Sequence, residues 1–347
     1  MCGFLDITSK LFAFCIQATT SGGFVESPYY NSTFEAGMNV YLEQKDVTAA
    51  GDDYIGTVLQ LLDRLEQADV NSVSLTWPVF TDGRRSSVVF EGVETPSKDA
   101  LATFSAVAQA RGFGVLFHPI LDEASIVLSG PEHWRGTISP WEVDSWFESY
   151  TALMVDYAEI AHSTGADSFI IAAELTSMEQ HADHWRTVIS QVRDVYPDGK
   201  ITYASNRGVS QEFPWDAVDY IGVDAFFDLD VPVDASVEQM TTDLLIQQKQ
   251  ILLEAKAVGL PLVFTEVGTT AQAGSFRRSW VWDHQTRSDH LAQARYYQAV
   301  CDVWKEHLQG IYWWKTTLYP VQPKTKESLY GFNPFGKTAE NVVRSCF

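Results

Sequence analysis

The run Leu260-Pro-Leu-Val-Phe-Thr-Glu-Val-Gly268 decides how this chain is read. Its apolar residues are continuous rather than alternating, as in a parallel strand covered on both faces. The last inward position is a carboxylate, Glu266, and a glycine turn follows. A second run, Ala166-Asp-Ser-Phe-Ile-Ile-Ala-Ala-Glu174, has the same form and also ends in glutamate. Two buried parallel strands of this kind put two carboxylates on one rim of a barrel. Acid/base and nucleophile chemistry at a glycosidic bond uses such a pair.

Working outward from these two runs, strand and helix patterns alternate along the chain. Apolar strand patterns fall at Met38–Leu42, Ser72–Trp77, Gly114–Ile120, Ser168–Ala173, Ile201–Ser205, Tyr220–Phe226, Leu262–Thr265 and Ile311–Trp314. Helical periodicity between and after them predicts helices at Tyr54–Ala68, Lys98–Arg111, Pro140–Ser163, Ala182–Tyr196, Trp215–Val218, Val237–Val258, Asp289–Leu308 and Thr338–Cys346. Ser139-Pro-Trp-Glu142 has the form of a capping box with proline at the first helical position. Gly112, Gly165 and Gly259 sit where helices should stop. No linker or low-complexity tract divides the chain, so the prediction is a single-domain (β/α)8 TIM barrel over residues 37–347. An open doubly wound sheet is disfavoured because no Gly-rich phosphate loop follows the first strand. Residues 1–36 read as an N-terminal extension or a weak signal-like segment.

Composition narrows the function classes. The chain has 347 residues, 46% hydrophobic and 13% aromatic, and a formal net charge of −21. Such acidity disfavours nucleic acid and anionic membranes as partners, and suits a neutral polysaccharide or oligosaccharide. Eleven Trp and fourteen Tyr provide rings for the apolar faces of sugars, although most rings of a globular protein belong to its core. Lys10-Leu-Phe-Ala-Phe-Cys-Ile-Gln-Ala18 resembles a short signal h-region, while Asp6 argues against one. Secreted and cytoplasmic placements both stay open. Cys2, Cys15, Cys301 and Cys346 include no CxxC and no Cys/His ligand spacing. A Cys301–Cys346 bridge between the last two helices is one arrangement the chain permits.

Active sites of such barrels gather at the C-terminal ends of the strands. That rim collects Trp77, His118, Asp122, Glu174, Asn206, Asp224, Glu266 and one of Trp313 and Trp314, with Trp313 favoured as a platform beneath the sugar. Side chains alternate along a strand, so only one of that pair can face the mouth. Trp134 and Arg135 in the third loop, and Trp282 in the long loop after Glu266, are further candidates for substrate contacts. His118 and Asp122 invite a metal reading, but a third convergent ligand is missing, and no metal or other cofactor is expected.

Several segments together carry a family resemblance: His133-Trp-Arg-Gly136, Trp146-Phe-Glu-Ser-Tyr150, Gly165 to Leu175, Ile201-Thr-Tyr-Ala-Ser-Asn206, Asp219-Tyr-Ile-Gly-Val-Asp224 and Phe264-Thr-Glu-Val-Gly268. In order and spacing they resemble the clan of retaining (β/α)8 glycoside hydrolases, and within it glycoside hydrolase family 113, the β-mannanases. The likeness runs from about Gly37 to the C-terminus. It implies that Glu174 is the general acid/base and Glu266 the nucleophile of a retaining hydrolase acting on β-linked glycan, with β-mannan favoured. The alternatives are another activity of the clan (β-glucanase, xylanase or exo-β-glycosidase) and a barrel that binds glycan without cutting it. Two departures bear on the substrate. Ala173 stands where the clan usually has an asparagine before the acid/base. Asp224-Ala-Phe-Phe227 lacks the tyrosine that many relatives carry near the end of the sixth strand. Asn206 is a candidate for the first missing role, and Tyr203 for orienting Glu266.

Overall fold

The computed structural model describes residues 34–282 and 286–347, with the backbone of an antiparallel hairpin, Gly3–Ile7 and Lys10–Phe14. Of the signal-like stretch 10–18 only the backbone of Lys10–Phe14 is described, and most of the predicted extension lies outside the described residues. Eight parallel strands follow: β1 (Glu35–Tyr41), β2 (Ser72–Thr81), β3 (Gly114–Leu121), β4 (Ser168–Ala173), β5 (Lys200–Asn206), β6 (Ile221–Asp224), β7 (Leu262–Val267) and β8 (Gly310–Thr317). Each pairs with its sequence neighbours, and β1 pairs with both β2 and β8, which closes a (β/α)8 barrel.

Helices Tyr54–Glu66, Lys98–Ala110, Val143–Thr164, Ala182–Val195, Val237–Val258, His290–Trp304 and Ala339–Cys346 cover the barrel. Only a 3-10 turn, Trp215–Ala217, stands between β5 and β6. Gly112, Gly165 and Gly259 all have positive φ where the helices end, the backbone conformation that glycine adopts without a Cβ penalty. One predicted helix start is displaced by more than a residue. The helix after β3 begins at Val143 rather than Pro140. Ser139 N–H donates to the Arg84 carbonyl at 2.9 Å and Trp141 N–H to the Arg85 carbonyl at 3.1 Å. This stretch therefore satisfies its backbone against the loop after β2, and a local capping signal yields to long-range pairing.

Strand alternation separates an inner and an outer core. Leu116, Ile170, Ala204, Val263 and Tyr312 form one buried cluster, inside the barrel. Their neighbours Phe117, Phe169, Ile171, Tyr203 and Phe264 belong to the larger cluster that also holds the helices' apolar faces. Tyr312 fills the barrel floor, with its hydroxyl 2.8 Å from both Ser72 Oγ and Glu35 Oε2. A Cβ on Gly37 would lie 2.3 Å from the Tyr312 ring, so this position leaves room for nothing larger than glycine.

Cys301 and Cys346 form a disulfide between the last two helices, 45 residues apart in sequence. Cross-linking a loop of this size restricts the unfolded chain and is worth about 2–4 kcal/mol. The double variant Cys301→Ala, Cys346→Ala is expected to lose about that much unfolding free energy in denaturant titrations. A reductant should lower the wild-type Tm and leave the variant's unchanged; equal stability of the two proteins would remove the bridge from the account.

Candidate active site

The C-terminal rim of the barrel opens into a cavity of about 610 Å³. Glu174 and Glu266 lie on its wall, with Trp134, Arg135, Asn206 and Trp314. Phe226, Trp280, Phe332 and Arg207 contribute further surface.

Glu174 follows β4 directly and holds a left-handed backbone, φ +56°. Its N–H donates to the Ala204 carbonyl of β5 at 2.8 Å. The same device recurs one strand on: Arg207 follows β5 with φ +59°, and its N–H donates to the Asp224 carbonyl at 3.0 Å. A residue with a Cβ pays roughly 1–2 kcal/mol for this conformation, and such outliers gather at functional sites.

Glu266 is buried and takes Asp224 as its Cα partner on β6. The β6–β7 register shifts between Phe264 and Glu266. Without that irregularity Glu266 would share the outward parity of Phe264; the shift turns it into the mouth. Beneath it lies a polar cluster. Thr265 Oγ1 donates to Asp224 Oδ1 at 2.8 Å, and Asn39 Nδ2 donates to the Thr265 carbonyl at 3.0 Å. Thr76 Oγ1 donates to Asn39 Oδ1 at 3.2 Å. The Ser74 hydroxyl lies 3.2 Å from His118 Nδ1. His118 Nε2 faces Glu266 Oε1 at 3.6 Å, just short of a hydrogen bond. Burial, with the Arg135 charge second, lowers the His118 pKa to about 3, so the ring is neutral.

Burial is also the first cause that raises the pKa of Glu174, Asp224 and Glu266. The Glu174 charge raises Asp224 further, and Asp224 and Glu174 together raise Glu266. Arg135 opposes all three. Asp224 Oδ2 and Glu266 Oε1 are buried without a hydrogen-bond partner among the described residues. Like charges in so dry a place oppose one another's ionisation, and the three carboxyls titrate as a unit with raised pKa values. Arg135 is itself held by Glu123 at 2.8 Å, and Arg207 by Asp228 at 2.9 Å. Lys315 Nζ lies 4.0 Å from the Tyr41 ring centre and 5.1 Å from that of Trp314, behind the cavity wall.

Some expectations are corrected by strand parity. Trp77 shares the outward face of Val73 and Leu75, packs edge-on to Phe117 and Tyr157, and is fully buried away from the cavity. Trp313 likewise faces outward, stacked on Tyr297 with ring centres 4.1 Å apart, so the tryptophan in the mouth is Trp314. Tyr203 also points outward and donates to Glu179 at 2.6 Å, not to Glu266. Trp282 packs edge-on to Phe332 and does not line the cavity, whereas Trp280 is the loop tryptophan on the cavity surface. Phe332 arrives from the segment after β8, which carries no local signal of a site. Among the described residues no three His, Cys, Asp or Glu side chains converge as metal ligands.

A parallel barrel with two carboxyls on an aromatic-lined rim cavity has the form of a glycoside hydrolase. The family model of Glycoside Hydrolase Family 113 matches residues 54–337, and the chain belongs to that family. Among solved structures, a family 113 β-1,4-mannanase is 23% identical with a TM-score of 0.77, covering 90% of this chain and 98% of that one. The family 113 β-mannanase from Alicyclobacillus acidocaldarius in complex with ManMIm is 26% identical with a TM-score of 0.74, covering 91% and 98%. The endo-β-1,4-mannanase from Thermotoga petrophila shares the fold at 14% identity and a TM-score of 0.55, covering 92% and 77%. No curated protein matches the chain.

Proposed function

We propose that the protein is a retaining β-mannanase that cleaves β-linked mannan by double displacement, with Glu174 as acid/base and Glu266 as nucleophile. The observation that carries this reading is the pair of glutamates facing one aromatic-lined cavity in a family 113 chain. The resemblance to solved β-mannanases of the same family supports the substrate. In the first step the Glu266 carboxylate attacks the anomeric carbon while Glu174 gives its proton to the leaving oxygen. The glycosidic bond breaks and a glycosyl ester on Glu266 forms. In the second step Glu174 takes a proton from water, the water oxygen bonds to the anomeric carbon, and Glu266 leaves as carboxylate. The neutral His118 steers Glu266 through Nε2–H. Trp314 forms the platform under the sugar, and Asn206 offers the amide that Ala173 cannot. Two carboxyls supply all the acid, base and nucleophile chemistry, so the scheme calls for no cofactor. The disulfide supports placing the enzyme in an oxidising compartment.

The test is reducing-sugar release from β-mannan, β-glucan and xylan, with NMR of the anomer formed first. Release from mannan with the β-anomer first is the expected result. Release confined to glucan or xylan would reassign the substrate, and an α-anomer formed first would end the double-displacement scheme.

A further inference from the structure

A second depression of about 610 Å³ lies beside the catalytic cavity, lined by Asp82, Arg84, Arg85, Ser129, His133 and Trp141. Trp141 is 71% exposed, rare for a ring of this size in a chain whose other tryptophans include five that are fully buried. The Arg85 guanidinium lies 4.4 Å over its ring. Among the described residues Arg85 makes no ion pair and no hydrogen bond through its side chain, and it is itself exposed. An open indole face and an unengaged fork of N–H donors therefore stand together on the surface.

The platform is rigidly built. Arg84 Nε donates to the Thr137 carbonyl at 2.7 Å, and Glu142 N–H donates to Ser87 Oγ at 2.8 Å. With the two backbone bonds from Ser139 and Trp141 to Arg84 and Arg85, these bonds join the loop after β2 to the segment that precedes helix Val143–Thr164. The displaced helix start has its use here: Trp141, which the capping box would have put in a first helical turn, is instead held out on a bend before the helix.

Its position relative to the catalytic cavity matters as much. Pro131, Glu132, Trp134 and Arg135 line the catalytic cavity, whereas His133 of the same segment lines the second depression. His133 Nε2 and Glu132 Oε1 meet at 3.3 Å across the divide. The two cavities thus share one loop segment, and a glycan long enough to cross it would reach the depression. Asp82 stands there with Arg84, whose Nε is tied to the Thr137 carbonyl, with Arg85, and with His133, which meets Glu132. What the depression offers is a ring face with donors and acceptors around it. A pyranose has the matching pattern, with C–H groups on one face and hydroxyls at its edge.

We propose that Trp141 and Arg85 form a distal binding site for further sugar units of the polysaccharide held in the catalytic cavity. The site rests on the glycanase reading above, and the test separates the two. The probes are soluble galactomannan, β-glucan and xylan in native affinity electrophoresis, which reads binding without turnover. KM is then measured on polymer and on a short oligosaccharide that fills the catalytic cavity alone. Trp141→Ala and Arg85→Ala should each weaken gel retardation and raise the polymer KM roughly threefold to tenfold. Turnover of the short oligosaccharide and the Tm should stay unchanged, and Arg85→Lys should recover part of the retardation. The site is overturned if the wild type is not retarded by any of the three polymers, or if both alanine variants are retarded like wild type. A wild type that is retarded but hydrolyses nothing would sink the catalytic reading and leave this site standing.

Discussion

Replacing Glu266 by alanine is expected to cut turnover of β-mannan by a factor on the order of 10⁴ or more, the scale on which a covalent mechanism loses its nucleophile. The loss should fall on kcat rather than on binding, because the aromatic and polar lining of the cavity is untouched. Azide should restore part of the rate in the alanine variant by entering the vacated space and attacking the anomeric carbon, yielding the α-glycosyl azide. A variant that keeps more than a hundredth of wild-type activity without azide would end the assignment. The pH dependence follows from burial. Glu266 must be ionised to attack, and its pKa is raised by desolvation and then by Asp224 and Glu174. The acid limb of kcat/KM should therefore lie above the ordinary glutamate range of about 4.3. Stability carries the same sign. A carboxyl whose folded pKa is raised contributes stability below its unfolded pKa and loses it as pH rises through the folded value. Glu266→Gln, which can never ionise, should accordingly gain in Tm over wild type more at pH 8 than at pH 5.

How far sequence reasoning reaches here depends on whether the deciding interaction is local. The β4 prediction matches the strand at both ends, because a continuous apolar run bounded by polar or glycine residues is a local signal. The glycine stops at 112, 165 and 259 are local as well, each set by the residue's own backbone freedom. The two glutamates that end β4 and β7 stand on one cavity wall, as a parallel barrel requires of rim residues. The misread strand residues share one cause. Trp77, Trp313 and Tyr203 lie near rim positions in sequence but face outward, and facing is a matter of parity against neighbouring strands. A bulge resets that parity, as it does between Phe264 and Glu266 and between Trp313 and Thr316. Such a shift comes from pairing across strands and leaves no mark in the run itself. Phe332 reaches the cavity because the segment after β8 returns there, and Arg207 because the chain leaves β5 in a left-handed turn; neither is marked in the local sequence.

Glu174 offers the second large effect, and the prediction joins mechanism to backbone. As general acid it should contribute roughly 10²- to 10⁴-fold to hydrolysis of mannan, whose leaving sugar needs a proton. A 2,4-dinitrophenyl glycoside leaves without one, so Glu174→Ala should lose far less on the first step with that substrate, and the glycosyl ester should accumulate. Azide, needing no base, should discharge the ester as the β-glycosyl azide. The basic limb of the pH profile, set by a pKa that burial raises, should disappear. Equal losses on mannan and on the dinitrophenyl glycoside, or a basic limb that persists, would remove Glu174 from the acid/base role. The backbone gives a further, independent readout. At φ +56° a Cβ is strained and glycine is not. Glu174→Gly should therefore be more stable than Glu174→Ala by about 1 kcal/mol in denaturant titrations, although both have lost the carboxyl. Identical stabilities would mean that the left-handed turn stores no strain. A more stable Gly variant with the same catalytic defect would mean that the fold holds this residue in an unfavourable conformation that aims its carboxyl into the cavity.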